Sequence, residues 1–90
     1  MNTDYLILIK NLYRYNARTG QIYWQPHISR GRRAYLRRCP TNVYQLRVGY
    51  DYLRAQDVVW FLVHGTWPES PVKHRNGCWW DNRIENLTLS

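Results

Sequence analysis

The sequence predicts a small α+β domain, in which a small antiparallel sheet is combined with an N-terminal helix and one packed helix. The chain has 90 residues, a length that one hydrophobic core serves, so we expect residues 1–90 to form a single domain. Apolar and polar residues alternate in two candidate hairpins, as a half-buried antiparallel sheet requires. Elsewhere, apolar residues recur at helical spacing, namely Val58, Val59, Leu62 and Val63.

The first part of the chain contains signals for one helix and one hairpin. Thr3 is a residue type that caps helices, and it predicts a helix over Asp4 to Leu12. The alternating stretches Tyr13–Tyr15 and Gln21–Trp24 flank a run of turn residues and predict a β-hairpin. Pro26 is expected to end this hairpin.

The middle of the chain is predicted to hold a basic segment and a second hairpin. The basic segment, His27 to Arg38, is expected to begin as a mobile loop and to end in a strand. Val43–Val48 and Tyr50–Arg54 alternate in polarity on either side of Gly49, and they predict two antiparallel strands.

The last part of the chain contains the clearest helix signal. Ala55–His64 carries the helical apolar spacing described above, and Gly65 is a typical C-terminal stop. Beyond it, Val72–Arg75 and Leu87–Leu89 are predicted to be two short strands. Asn76-Gly77 indicates a turn after the first of them.

The charge of the chain indicates a polyanionic partner. Thirteen Lys and Arg residues oppose six Asp and Glu residues, for a net charge of +7. All but Lys10 and Lys73 of these cations are Arg, which binds phosphate in a bidentate manner and stacks on rings. A nucleic acid or an acidic protein surface would suit this excess. The alternative is a basic domain with no electrostatic partner.

The cysteine and histidine residues do not follow the spacing of a metal site. Cys39 and Cys78 are isolated, as are His27, His64 and His74, whereas a zinc site needs four ligands at matched spacing. The short apolar run near the N-terminus follows an acidic residue, so we expect no signal peptide and no membrane span. These features predict an intracellular protein with reduced thiols and without a cofactor.

Three stretches carry the most specific pattern in the chain. They are residues 15–24, residues 59–69, and residues 73–77 together with 81–87, which read Lys-His-Arg-Asn-Gly and Asp-Asn-Arg-Ile-Glu-Asn-Leu. In this order they resemble phage HNH homing endonucleases and their small free-standing relatives, and the resemblance covers nearly the whole chain. The final stretch is the most specific, because it is similar to the family's aspartate–histidine turn and the segment that follows it.

The resemblance implies an altered catalytic site of the ββα-metal type. By position, His74 matches the general base that activates water, Asn86 matches the Asn that braces the base, and Asn82 is a second polar brace. Lys73 stands where the family has a metal-binding Asp or Asn, and an ammonium group cannot bind a cation. The sequence stops at Ser90, where the family's last helix with its second ligand would begin. The resemblance therefore implies a truncated remnant of the ββα-metal fold, with no metal and no cleavage.

Several alternatives remain for the same residues. With both ligands absent, a hairpin residue that bonds a backbone carbonyl is favoured for His74 over a catalytic base. Asn82 and Asn86 are compatible with residues that satisfy buried loop groups. A weak nuclease that retains His74 as base, and whose metal site a partner chain completes, is a further alternative. Trp79 and Trp80 cannot both face one small core, so at least one ring is expected to be exposed for base stacking or protein contact.

The leading hypothesis is nucleic-acid binding without cleavage, with DNA favoured over RNA. The second hypothesis is a phage-encoded inhibitor of a host nucleoprotein complex, such as a CRISPR effector, that acts by protein contact. The resemblance to phage proteins implies the bacterial host cytoplasm during infection as the location. The expected phosphate contacts are Arg30, Arg32, Arg33, Arg37, Arg38, Arg47, Arg54, Lys73 and Arg75.

Overall fold

A computed structural model describes residues 1–90 and confirms the α+β class. The strands form three small antiparallel sheets, which contain two, three and two strands. The elements are α1 (Thr3–Leu12), β1 (Tyr13–Asn16), β2 (Gln21–Trp24), α2 (Pro26–Ser29), β3 (Arg37–Cys39), β4 (Val43–Val48), β5 (Asp51–Arg54), α3 (Ala55–His64), β6 (Val72–His74), a 3₁₀ turn (Ile84–Asn86) and β7 (Leu87–Leu89). No helix is long and apolar enough to cross a membrane.

The N-terminal helix begins one residue earlier than the sequence predicts. The cap is Asn2, whose side chain accepts a hydrogen bond from the Asp4 backbone N–H at 2.7 Å, so the assignment of Thr3 as the cap is wrong. Both residue types cap helices well, and the oxygen that reaches the free N–H decides between them. Ile9 of this helix is fully buried.

The first hairpin is confirmed, but the basic segment that follows is not simply a mobile loop. Pro26 begins the short helix α2, because proline suits the first helical position. The chain then returns along β2, where the Trp24 N–H donates to the Arg32 carbonyl and the Ala34 N–H donates to the Ile22 carbonyl. Ala34 is buried there, so the hydrogen-bonded backbone and this contact attach the segment to the first hairpin.

The three-stranded sheet contains β4 at its centre, between β3 and β5. The predicted strand after Gly49 starts at Asp51, because Tyr50 belongs to the turn. Leu46 and Val48 of β4 are buried in the core, and their neighbours in the strand point to the opposite face.

The core is built around α3, whose predicted bounds are confirmed. Gly65 ends this helix in the left-handed conformation, with φ of 79°, and its N–H donates to the Phe61 carbonyl. The helix buries Val58 and Val59 completely. The rest of the core is contributed by Ile9, Tyr13, Ile22, Ala34, Leu46, Val48, Ala55, Phe61, Val72 and Leu87.

The last two strands form their own small sheet against α3. β6 ends at His74, so Arg75 lies in the turn and not in the predicted strand. Its register pairs Val72 with Leu89 and His74 with Leu87. The residues between the strands, 75–86, form the β6–β7 loop.

Candidate nucleic-acid interface

His74, the residue that the sequence places as a general base, is held by Asn82. The imidazole Nε2 of His74 lies 2.8 Å from Oδ1 of Asn82, which is only 5% exposed. Because an amide oxygen only accepts hydrogen bonds, Nε2 carries the hydrogen in the neutral ring and Nδ1 carries the free lone pair. The ring therefore has a defined orientation. Its hydrogen-bond partner is the side chain of Asn82, whereas the alternative from the sequence has His74 bonded to a backbone carbonyl.

Asn86 braces the loop and does not touch His74. Its Oδ1 accepts from the Asn76 backbone N–H at 3.0 Å, and its Nδ2 donates to Asn76 Oδ1 at 2.9 Å and to the Asp81 carbonyl at 3.0 Å. Asn86 is buried, so these bonds satisfy polar groups that water cannot reach freely. Asn82 therefore contacts the imidazole directly, and Asn86 stabilises the loop.

Asp81 and Arg83 form a locked pair in the same loop. Arg83 Nε donates to Asp81 Oδ1 and Arg83 Nη2 donates to Asp81 Oδ2, both at 2.9 Å. Asn76 Nδ2 also donates to Asp81 Oδ2 at 3.1 Å. The bonds from Arg83 hold the pKa of the Asp81 carboxyl well below its usual range. The carboxylate is therefore ionised and already fully engaged with the protein.

Tyr15 ties the first hairpin to this loop. Its hydroxyl donates to the Asn82 carbonyl at 2.9 Å and accepts from the Ile84 N–H at 2.8 Å. Burial raises the pKa of the Tyr15 hydroxyl, so it stays neutral and keeps its hydrogen at physiological pH. One side chain thus supports the backbone on both sides of Arg83.

Replacing Tyr15 with Phe should lower the free energy of unfolding by about 1–2 kcal/mol, because it removes a donor and an acceptor from half-buried backbone groups. Urea denaturation followed by tryptophan fluorescence measures this change. Tyr50→Phe is the matched control, since Tyr50 is almost fully exposed. An equal effect of the two substitutions would contradict the bridging role.

The residues present do not fit a divalent metal ion of the kind that an intact ββα-metal motif holds. Lys73 is exposed beside His74 and supplies a cation where a ligand should lie. Asp81 is engaged by Arg83 and Asn76. No group of three or more His, Cys, Asp or Glu side chains in residues 1–90 is arranged to hold a metal ion. Divalent cations need several such donors around one point.

We therefore predict no site-specific heat when the protein is titrated with Mg²⁺, Mn²⁺ or Zn²⁺ in a calorimeter. Lys73 repels a divalent cation, and His74 alone supplies too few ligands to hold one. The matched control is His74→Ala, which should give the same trace. Micromolar binding that disappears in His74→Ala would show that His74 belongs to a working metal site.

A second cluster of functional groups lies on the solvent side of the three-stranded sheet. The register places Arg37 opposite Gln45 and Gln45 opposite Arg54, and it places Arg47 opposite Tyr52. Directly opposite residues in an antiparallel sheet share a face. These five residues form the outer sheet face, which contains no Asp or Glu.

Arg37 is held rigidly on the outer sheet face. Its Nη2 and Nε donate to Oε1 of Gln45 at 2.6 and 3.2 Å, and its guanidinium lies 3.6 Å from the centre of the Tyr52 ring. Stacking on the ring fixes the plane of the guanidinium. Its remaining N–H groups, on Nη1 and Nη2, are free to donate outward.

Arg47 and Arg54 are attached more loosely. Arg47 Nε donates to the Gly49 carbonyl at 3.0 Å. Arg54 pairs with Asp57 at 3.1 Å, and burial raises the pKa of the Asp57 carboxyl while Arg54 opposes that rise. The Asp57 carboxylate is buried, but about half of the Arg54 side chain is exposed, so part of its guanidinium stays accessible to another anion.

Arg38 points to the other side of β3 and meets an aromatic cluster. It pairs with Tyr44, its guanidinium lies 5.2 Å from the Trp79 ring, and Tyr44 and Trp79 are 5.1 Å apart. Trp80 packs edge-on against Trp79 at 5.5 Å and is 58% exposed. The expectation that at least one of these two tryptophans is exposed is confirmed.

The nine cations that the sequence predicts as phosphate contacts do not form one face. Arg37, Arg47 and Arg54 share the outer sheet face, whereas Arg38 lies on the opposite side of the sheet. The other five lie outside this sheet: Arg30, Arg32 and Arg33 in the basic segment, and Lys73 and Arg75 at the end of β6. Strand alternation places Arg37 and Arg38 on opposite sides of β3, so these two cations do not belong to one surface.

Sequence reasoning missed the residues that position the candidate groups. Gln45 and Tyr52 hold Arg37, and Asn76 and Tyr15 organise the β6–β7 loop. The alternation in the second hairpin could have placed Gln45 and Tyr52 on the solvent face. Nothing near Tyr15 in the sequence points to a loop that follows it by more than sixty residues.

Comparison with known proteins finds a similarity to HNH endonucleases in the C-terminal part of the chain. Residues 54–90 match a family model described as HNH endonuclease. The match is less than half of the chain, and it contains His74, Asn82 and Asn86 but not the outer sheet face apart from Arg54. No curated protein and no solved structure matches the chain.

Proposed function

We propose that this protein binds duplex DNA through the outer sheet face and does not cleave it. The observation that carries the proposal is the placement of Arg37, Arg47 and Arg54 on one exposed sheet face, where only Arg54 is paired with a carboxylate, that of the buried Asp57. Arginines on such a face can contact phosphates and base edges together, because strands enter the major groove of duplex DNA.

The HNH endonuclease domain supports DNA as the partner. Proteins of this family act on DNA in general, and residues 54–90 match their domain model. A sheet face also suits B-form DNA better than double-stranded RNA, whose major groove is too deep and narrow for side chains to read.

We infer that the β6–β7 unit is descended from a phage homing endonuclease and now assists binding. Lys73 in β6 and Arg75 in the turn that follows are exposed and make no ion pair within the protein. In an intact site, a metal ion lies between its protein ligand and the phosphate. A cation at the position of that ligand can bind the phosphate itself, so Lys73 would contact the phosphate without a metal ion.

Fluorescence anisotropy with a short labelled duplex over a series of salt concentrations tests the proposed function. The logarithm of the association constant should fall linearly with the logarithm of salt between about 50 and 200 mM, with a slope of about four or more. A protein that does not bind duplex at low salt would contradict the proposal. In that case, the inhibitor hypothesis would lead, and capture from host lysate with and without nuclease treatment would test it.

Replacing Lys73 with Asp should weaken duplex binding by about tenfold and lower the salt slope by about one, because an attraction to phosphate becomes a repulsion. The matched control is Lys10→Asp, which makes the same charge change on α1, a helix that belongs neither to the outer sheet face nor to the β6–β7 loop. Anisotropy with the same duplex measures both variants. Equal losses would show that net charge, and not the position of Lys73, determines the affinity.

Metal-dependent nicking is a second candidate function, favoured by one observation. The Asn82 contact orients His74 with a free lone pair on Nδ1, which is the state that a general base needs. The donor set around it does not fit a metal, so we expect wild-type protein to leave supercoiled plasmid intact in Mg²⁺. Nicking by wild type that His74→Ala abolishes would establish this second function.

A further inference from the structure

A groove of about 490 Å³ lies between the basic segment and the β6–β7 loop. Its lining includes Gln21, Arg33, Tyr35, Tyr44, Trp80 and Asn82. None of these residues lies on the outer sheet face, so the groove is a separate surface. Its volume is within the range of pockets that hold small organic ligands.

The groove offers aromatic rings that the protein core does not use. Tyr35 is 82% exposed, and Trp80 is held edge-on by Trp79 while more than half of its surface stays exposed. Trp79 is itself fixed by Tyr44 and Arg38. Rings presented in this manner can stack on a flat ligand, and every nucleobase has such a face.

The groove also contains polar groups without a partner. Asn82 is 95% buried as a residue, and its Oδ1 is taken by His74, but its Nδ2 makes no hydrogen bond within the protein. Nδ2 is not completely shielded from solvent, and Asn82 belongs to the lining of the groove. Arg33 is exposed and makes no ion pair. An amide donor and a guanidinium near exposed rings match the edge of a base and its phosphate.

We propose that this groove binds one unpaired nucleotide of a DNA strand, with the base stacked on Trp80, its edge bonded by Asn82 and its phosphate near Arg33. The inference deepens the proposed function, since it assigns a second DNA site beside the duplex-binding face. Charge complementarity favours a nucleotide over an apolar peptide, because Arg33 lines the groove and no Asp or Glu does.

The test compares two labelled duplexes that differ only by one unpaired thymidine. The bulged duplex should bind about five- to a hundredfold more tightly than the paired one, the range for stacking of one base on an aromatic side chain. Trp80→Ala should abolish this preference and leave affinity for the paired duplex unchanged, whereas Trp80→Phe should retain part of it. Arg33→Ala should reduce affinity for the bulged duplex, and Arg18→Ala is its control in the first hairpin turn.

A second measurement keeps the test informative even if Trp80→Ala does not fold. In wild-type protein, the NMR signals of the Asn82 side-chain amide should shift when oligothymidine is added. Equal affinity for the two duplexes would overturn the proposal, and so would Asn82 signals that do not shift with oligothymidine. The proposal would also be wrong if an aromatic peptide shifted the Asn82 signals and oligothymidine did not. Binding of oligothymidine that depends on Trp80, without any binding of paired duplex, would refute the outer sheet face and support the groove.

Discussion

Replacing Arg37 and Arg47 together with Ala should weaken duplex DNA binding by about a hundredfold and lower the salt slope by about two. Both arginines lie on the outer sheet face, and Arg37 is already fixed by Gln45 and Tyr52. A side chain that is held in place before binding loses less conformational entropy on binding, so its removal has a larger effect. Anisotropy with the labelled duplex measures both quantities.

The matched control for this double variant is Arg14→Ala with Arg18→Ala. Those residues belong to the first hairpin and its turn, and their loss changes the net charge by the same amount. We expect the control to weaken binding by less than about threefold, through general electrostatics alone. Arg37→Lys separates charge from geometry, because Lys cannot keep both bonds to Gln45 and should lose part of the affinity. Equal effects of the two double variants would refute a specific role for the outer sheet face.

Replacing Asn86 with Ala should lower the free energy of unfolding by about 2–4 kcal/mol. The substitution removes three hydrogen bonds and leaves the Asn76 N–H and the Asp81 carbonyl without their buried partner. In a domain of this size, such a loss lowers the melting temperature by about 10–25 °C. Thermal denaturation followed by circular dichroism measures the effect.

Asn11→Ala is the control for Asn86→Ala, because Asn11 is exposed on α1 and makes no side-chain hydrogen bond. Its effect should stay within about 0.5 kcal/mol. If Asn86→Ala were as mild as this control, the β6–β7 loop would not depend on Asn86, and the bracing role would be wrong. Below its melting temperature, Asn86→Ala should still bind duplex DNA through the outer sheet face.

The elements with strong local signals could be predicted from the sequence. The bounds of α3 follow from apolar residues at helical spacing and from Gly65, which takes the left-handed conformation that ends the helix. The first hairpin follows from alternation and turn residues. Such signals depend on neighbours in the chain, so they are visible without knowledge of tertiary contacts.

Other elements depend on contacts that are distant in the sequence. The four residues of α2 are too few to show a helical period, and Pro26 is equally suited to ending a strand and beginning a helix. The attachment of Ala34 to Ile22 arises from a backbone bond and a buried contact. Division of the strands into three sheets depends on which edges pair, and strand patterns alone do not determine this.

The candidate site was predictable only in part for the same reason. The resemblance placed His74, Asn82 and Asn86 in one region, where the structure also brings them together. It did not reveal that Asn82 makes the direct contact with the imidazole, because the choice between two nearby amides depends on the path of the loop. The run of arginines did not show which cations share a surface, and the period of a strand places Arg37 and Arg38 on opposite sides of β3.

Mapping of the DNA-binding surface by NMR tests the central claim most directly. Isotope-labelled protein titrated with a short duplex should show backbone amide shifts concentrated at Arg37, Gln45, Arg47 and Tyr52, while α1 stays unperturbed around its exposed Ile7 and Leu8. Shifts centred on α1, with the outer sheet face unchanged, would show that this protein does not bind duplex DNA in the proposed manner.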